Sequence, residues 1–500
     1  MKINDLVPLI QVPENAKNVE FSGISNDSRK VKPGDLFVAI PGYKTNGLLY
    51  LNEASQHGAC AALVEREAAI EIQKLTIPII PVDNIRKVQG LTAAHFYGWP
   101  AHRLRVIGVT GTNGKTTVTH LIKHMLSKAG KEVGLIGTVW IDNGKTRERS
   151  ERTTPDSIEL QRVLAEMVNN EVHTVVMEVS SHALAQERVA GIDFDAAVIT
   201  NVSHDHFDFH HNYDNYLTAK LSLFVGLDPG RKSQSYAVAN QDDPSFEKIG
   251  QICRVPIVSY GSLESADTWI QKVERRGFVS RLQLKIFKEQ GQITTRLPGS
   301  FNIFNVLAAA TVGYQEGLSI EEIEQAVEEF PGVPGRYQEI DCGQPFRVMV
   351  DFAHNPAALE NILKMAEENT GGRRIVVFGC EGEKDRLKRP IMGKIAADNS
   401  EIPILTTDNI YYEAVPQIFA DVLHDLPPFL RSKILIEPDR AAAIHKAIEL
   451  ARPGDFVIVA GKGHEEVLVR GSEHLHFNDV EVVEEFLKGQ TINATNRNIQ

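Results

Sequence analysis

Apolar residues fall along this chain in short, dense runs, each ending in a polar or glycine-bearing loop. RVIGVT (residues 105–110), HTVVMEV (173–179) and DAAVIT (195–200) are rich in β-branched residues with no polar alternation. That is the pattern of parallel strands covered by helices on both faces. The rhythm returns in RVMVDFAHNPAALENILKMAEE, RRIVVFGC, IPILTTDN, KILIEPDRAAAIHKAIELA and DFVIVAGKGHE. Such runs predict open α/β sheets whose ligands bind beyond the carboxyl ends of the strands. The N-terminal segment mixes shorter runs, such as DLFVAI and CAALVE, with turn-rich connections. Pro100 marks one break, and the cluster Pro331, Gly332, Pro334 and Gly335 marks another. Three domains are expected, at residues 1–98, 99–330 and 331–500.

Composition narrows the class. A chain of 500 residues exceeds one hydrophobic core. With 42% hydrophobic and 24% charged residues it reads as an ordinary globular protein. A formal net charge of −12 argues against a nucleic-acid-binding surface. It leaves room for an anionic ligand, because a few local cations and a helix N-terminus suffice to bind phosphate. Cys60, Cys253, Cys342 and Cys380 are scattered without metal-ligand spacing, which suits reduced thiols in a cytoplasm. Neither a secretory signal nor an apolar stretch long enough to span a membrane is evident.

The sharpest local signal is VIGVTGTNGKTTVTHLIKHML, in which a strand runs through Gly111, Thr112, Asn113, Gly114, Lys115, Thr116 and Thr117 into an amphipathic helix. Glycines let backbone N–H groups approach phosphate, and the helix N-terminus adds partial positive charge. Lys115 can bridge the β- and γ-phosphates, and the Thr116 hydroxyl can ligate Mg²⁺. The loop departs from a strict P-loop, since Val109 stands five positions before Gly114 where a glycine is usual. The strand HTVVM ends at Glu178, a carboxylate able to hold Mg²⁺ directly or through water.

TGTNGKTT, MEVSSHAL, TNVSHDHFDFH and LPGSFNIFNVLAAA together resemble the Mur ligase superfamily. DSRKVKPGDLFVAIPG and FGCEGEKDRLKRPIMG narrow the resemblance to its MurE-type branch, over about residues 20–470. The resemblance implies three α/β domains, a central P-loop-type parallel sheet and a C-terminal Rossmann-like sheet. It implies a cytoplasmic, monomeric ligase using ATP and Mg²⁺ to join a free diamino acid to UDP-MurNAc-L-Ala-D-Glu, with no nucleic-acid partner and no membrane insertion. By the same resemblance, Asn26 and Ser28 lie against the uridine, with Tyr43, Lys44 and Thr45 near the diphosphate. Here the run continues Asn46-Gly47-Leu48, where the family often has Asp-Gly-His. Thr153, Thr154, Ser180, Gln186 and Arg188 match contacts to the muramoyl dipeptide. Hydroxyl donors and a guanidinium fork suit a substrate bearing a diphosphate and free carboxylates.

His206 matches a second Mg²⁺ ligand. Lys220 matches a lysine that the family carbamylates to N6-carboxylysine, although by itself it reads as a solvated helix lysine. Asn302 and Asn305 resemble adenine-side residues, and Arg336 and Asp351 contacts to phosphate and ribose. The role of His354, in the same loop as Asp351, stays open. Gly461 and Glu465 match the grip on the amino acid, with Lys384, Asp408 and Asn409 nearby. At that end the pattern breaks. Diaminopimelate-adding members carry Asp-Asn-Pro-Arg, whereas this chain reads Asp408-Asn409-Ile410-Tyr411. Their Gly-Gly-Asp-Arg-Asp becomes Glu381-Gly382-Glu383-Lys384-Asp385. A lysine lacks the bidentate fork of arginine, so L-lysine or ornithine is expected over meso-diaminopimelate. A folate-type ligase is disfavoured by the N-terminal DSRKVKPGDLFVAIPG. A non-catalytic paralogue is disfavoured by the presence of Lys115, Glu178, His206 and Lys220.

Overall fold

The computed structural model describes residues 1–42, 45–69 and 75–497, with side chains up to 489, and counts refer to those residues. Tyr43 and Lys44 lie outside the described residues. Three large sheets organise the described residues, with a two-stranded hairpin, Val467–Arg470 and Glu473–His476, as a fourth. The first is parallel and four-stranded, running Gly23–Ser25, Asp35–Val38, Ala61–Glu65 and Ile79–Val82 in spatial order. Its core is small (Leu36, Val38, Ala61, Leu63 and Ile80 among others), as expected of the weakly patterned N-terminal segment.

The central sheet has eleven strands. Its parallel heart places Arg105–Thr110 between Thr174–Glu178 and Ala196–Ile199. All three are buried on both faces, which is why their sequences read as unbroken apolar runs. Two separate cores sandwich them, one under the helices Lys115–Lys128 and Ser300–Gln315, the other under Ser157–Asn169 and Tyr213–Val225. The chain leaves Arg105–Thr110 toward one side of the sheet and later returns on the other. That reversal opens a crevice beyond its carboxyl end.

One edge of this sheet is an antiparallel meander of Thr268–Arg276, Val279–Ile286 and Glu289–Thr295. Its tip reaches the C-terminal lobe, where the Phe278 ring lies 6.1 Å from that of Phe456 and beneath the Arg347 guanidinium at 4.1 Å.

The third sheet has six strands, with Arg347–Asp351, Phe456–Ala460, Arg374–Phe378 and Ile402–Leu405 adjacent and parallel. Fold class is therefore α/β with several domains, as the pattern implied. The join between the second and third sheets is tight. Gly335 has φ +66°, and a Cβ there would stand 2.1 Å from the His464 backbone nitrogen, so only glycine lets the two segments meet. Arg336 follows directly and is thereby aimed at the crevice.

Candidate active site

The phosphate-type loop is clamped from the neighbouring strand end. Thr112 N–H donates to the Asn201 carbonyl (2.7 Å), Asn113 N–H to the Asn201 side chain (3.1 Å), and the Thr200 hydroxyl to the Asn113 carbonyl (2.6 Å). Gly111 has φ +145°, and a Cβ on it would lie 1.9 Å from the Thr200 hydroxyl, so the loop cannot carry a side chain there. The helix Lys115–Lys128 starts at Gly114 and points its free N–H groups into a cavity of about 540 Å³. Thr112, Asn113, Lys115, Thr116 and Thr117 line it on one side; Asn302, Asn305, Arg336 and Asp351 line another.

Lys115 Nζ donates to the carbonyls of Gly111 and Thr112, both at 2.9 Å, and burial lowers its pKa. Glu178 is fully buried, yet its carboxylate is well supplied with donors: Thr138 N–H (2.7 Å), Thr138 hydroxyl (3.0 Å) and Thr116 hydroxyl (3.0 Å). The Thr116 hydroxyl and Glu178 thus form adjacent hard-oxygen donors at the cavity wall, a set that fits Mg²⁺. Arg336 approaches the Thr116 hydroxyl at 3.4 Å and lies 4.5 Å over the Phe352 ring. Asp351 accepts from Tyr337 N–H (2.7 Å), and burial pushes its carboxyl up to about 6.

Lys220 is not a solvated helix residue. It is 1% exposed, with Nζ donating to the Gly111 carbonyl at 2.7 Å, the same oxygen that Lys115 uses. Burial, then the charge of Lys115, holds its pKa well below the usual lysine range, which favours the neutral amine. His206 lines the same cavity, beside His182 with rings 4.7 Å apart. Burial lowers His206 to about 4, against the pull of Asp205.

Asp205 was not singled out by sequence, although it adjoins His206. It is 5% exposed and accepts from Asn355 of the C-terminal lobe at 3.2 Å. Burial would raise its pKa, but His206, His354, Lys388 and Lys115 outweigh burial and hold it at about 2. Asn355 also donates to Asn113 at 3.3 Å, so one amide spans the loop and the third domain. Thr138 was likewise missed; only the sheet order brings it to Glu178, forty residues on.

A second cavity, of about 740 Å³, lies between the first two lobes. Asn26, Ser28, Thr45, Gln186 and Arg188 line it together with Arg86 and Arg152, two cations that sequence reading passed over. Ser28 donates to Glu53 (2.6 Å) and Asn26 to Gln89 (3.3 Å), while Gln89 bonds Ser157 across the lobes (2.7 Å). Thr153 and Ser180 face the first cavity instead. Thr154 is fully buried, its hydroxyl donating to the Glu178 carbonyl (2.9 Å), and its own carbonyl accepts from Arg188 (2.9 Å). Thr154 therefore ties the two cavities together through the main chain and offers no surface of its own.

The remaining named residues gather at the ends of the C-terminal strands. Gly461 N–H bonds the Asp351 carbonyl (3.0 Å), which joins this region to the first cavity. Lys462, fully buried, donates to Glu465 (2.7 Å) and Asn409 (3.1 Å) and lies 3.8 Å from Asp408. Burial raises Glu465 to about 7, opposed by Lys462 and assisted by Asp408 and Glu381. Lys384 is exposed, its Nζ 5.5 Å from the Tyr411 ring centroid.

Three family models match this chain in succession. They are the Mur ligase family, catalytic domain (residues 20–97), the Mur ligase middle domain (109–313) and the Mur ligase, glutamate ligase domain (335–463). The chain is 42% identical over 492 residues to the UDP-N-acetylmuramoyl-L-alanyl-D-glutamate–2,6-diaminopimelate ligase of Syntrophomonas wolfei, covering 98% of this chain and all of that one. It is 39% identical to the ligase of the same name from Clostridium botulinum, over 95% of this chain and 97% of the other. A solved structure bearing that name superposes with a TM-score of 0.66 at 30% identity, covering 98% and 99% of the two chains. Fold and site define an ATP-dependent ligase. The chain belongs to the Mur ligase family, in its MurE-type branch. Among the described residues no helix is long and apolar enough to cross a membrane.

Proposed function

We propose that this enzyme activates the side-chain carboxylate of D-glutamate in UDP-MurNAc-L-Ala-D-Glu and joins it to a diamino acid, with L-lysine preferred, in peptidoglycan precursor synthesis in the cytoplasm. The observation that carries the chemistry is the thin wall between the two cavities: Thr153 and Ser180 line one, Arg188 lines the other, and Arg188 bonds the carbonyl of the buried Thr154 between them. A nucleotide sugar held among Asn26, Ser28, Arg86 and Arg152 extends its peptide past that wall toward Lys115 and Glu178. The carboxylate attacks the γ-phosphate of ATP, giving an acyl phosphate and ADP. The amine of the incoming amino acid then attacks the acyl carbon and phosphate leaves.

A free carboxylate is a poor acyl donor, so phosphorylation creates the leaving group. The protein's share is positioning and charge neutralisation. Lys115 and Arg336 face the transferring phosphate, the loop N–H groups hold the neighbouring one, and closure of the lobes excludes water. Thr116, Glu178, His206 and, once carbamylated, Lys220 would hold Mg²⁺, which would supply neutralisation of phosphate charge. The neutral amine favoured at Lys220 is the form that adds carbon dioxide.

The preference for lysine rests on Tyr411, which stands where diaminopimelate-adding members carry the arginine that pairs with a distal carboxylate. The reading with meso-diaminopimelate is favoured by the names of the relatives. Phosphate release with ATP, Mg²⁺ and UDP-MurNAc-L-Ala-D-Glu, supplied separately with L-lysine, L-ornithine or meso-diaminopimelate, decides between them. Turnover with lysine or ornithine at least roughly tenfold above that with diaminopimelate is expected, the worth of one charge-assisted pair. Turnover with diaminopimelate alone would contradict the preference.

A further inference from the structure

Beyond the loss of an arginine, the amino-acid end of the site carries a carboxylate with no counter-ion. Glu381 follows the strand Arg374–Phe378, and its main chain is fixed from several directions. The fully buried Arg389 donates to the Glu381 carbonyl (3.0 Å) while gripping Glu413 through both terminal nitrogens (2.7 Å each). Gly382 N–H bonds the Asn409 carbonyl (2.8 Å), and Glu383 N–H bonds Glu413 (2.7 Å). The turn is therefore locked against the 409–413 loop. The half-buried Glu381 side chain takes one hydrogen bond, from the Tyr411 hydroxyl at 3.4 Å.

Every nearby cation is engaged elsewhere. Lys462 bonds Glu465 and Asn409, Lys388 bonds the His354 carbonyl (2.8 Å), and Arg440 pairs with Asp479 (2.7 Å). Lys384 lies over the Tyr411 ring. Among the described residues no lysine or arginine comes within ion-pair distance of the Glu381 carboxylate. Burial, followed by the charge of Asp408, pushes its pKa up against the more distant pull of Lys388, Lys384 and Lys462. Holding a carboxylate partly out of water with one long hydrogen bond and no ion pair is costly, and a ligand ammonium offsets that cost.

We propose that Glu381, positioned with Tyr411 at the far wall of the amino-acid site, receives the distal ammonium of the incoming amino acid. The proposal rests on the reading of this region as the amino-acid site. Its corollary concerns a distal carboxylate. Such a group would meet Glu381 as a like charge, and Tyr411 has only one hydroxyl proton, already directed at Glu381. A basic amino acid with a single carboxylate is thus the best fit, and a free amine at the chain end is what Glu381 reads.

The test uses the full-length enzyme and steady-state phosphate release. Glu381→Gln keeps the shape and removes the charge. The KM for L-lysine is expected to rise roughly 10- to 100-fold, the range for a hydrogen bond to a charged group. The kcat and the KM values for ATP and UDP-MurNAc-L-Ala-D-Glu stay near wild type. L-norleucine, which matches lysine without its ammonium, serves as an inhibitor whose Ki stays unchanged. Glu381→Asp, with its carboxylate withdrawn by one methylene, falls between the two and guards against a fold defect in the glutamine variant. An unchanged lysine KM, or lysine and norleucine weakening together, would overturn the proposal. If wild type accepts only meso-diaminopimelate, the lysine preference fails by itself. The ammonium contact is then judged by the diaminopimelate KM of Glu381→Gln, a rise supporting it and no change overturning it.

Discussion

Lys115→Ala is expected to lower kcat for ATP-dependent phosphate release by roughly 10²- to 10³-fold, the effect of deleting one preorganised electrostatic donor. The melting temperature should barely move. Both expectations come from where Lys115 sits. Its ammonium bonds only the carbonyls of Gly111 and Thr112, within its own loop, so no packing depends on it. Asn201 and Thr200 hold the loop from the neighbouring strand and remain in place. What the alanine variant loses is a cation facing the transferred phosphate, where Arg336 alone then remains near Thr116. Lys115→Arg keeps the charge but not the compact ammonium, so it should recover only part of the rate. Wild-type turnover by Lys115→Ala would remove this loop from the chemistry.

Arg440→Ala is expected to have the largest effect on stability. Arg440 and Asp479 form a bidentate pair at 2.8 and 2.7 Å, with both side chains wholly buried. The same guanidinium donates to the Ala460 carbonyl (3.0 Å) and the Thr407 carbonyl (3.4 Å). Truncation leaves Asp479 charged and unpaired in the interior, a loss of about 3–5 kcal/mol. Calorimetry should show the transition of the C-terminal lobe lowered by roughly 6–20 °C, at about 2–4 °C per kcal/mol. Because Thr407 and Ala460 lead into Asp408 and Gly461, amino-acid binding should weaken as well. Replacing both partners, as in Arg440→Met with Asp479→Leu, should restore much of the stability. A single-variant shift below about 2 °C, less than one kcal/mol on that scale, would show that the pair carries little.

The parallel strands were legible because burial on both faces forces unbroken β-branched runs, as in VIGVT, HTVVM and DFVIV. The meander of residues 268–295 was not. Thr268–Arg276 is exposed along most of its length and carries KVERR, while Val279–Ile286 alternates, with Leu282, Leu284 and Ile286 facing inward, a pattern that a search for unbroken apolar runs passes over. Its tip, Phe278, is explained by contact with another lobe, which no local pattern encodes.

Within the site, Lys115, Thr116 and Glu178 were legible because each sits at a strand end or a helix start, where spacing itself implies phosphate. Thr138 and Asp205 were not, since what they do depends on sheet order and on the approach of Asn355. Lys220 shows the same limit more sharply. Its helix looks solvated in sequence, yet packing beneath Gly111 buries it completely. Glu381 read only as a glycine replaced, and its meaning lies in the cations that do not reach it.

In the proposed reaction the carboxylate of the nucleotide-linked peptide is phosphorylated before the amine attacks. The most direct measurement starts from UDP-MurNAc-L-Ala-D-Glu carrying ¹⁸O in the D-glutamate side-chain carboxylate, turned over with ATP, Mg²⁺ and L-lysine. Mass spectrometry of the released phosphate should find one ¹⁸O atom per turnover, delivered through the acyl phosphate. Phosphate free of the label, with amide still formed, would contradict that order of events.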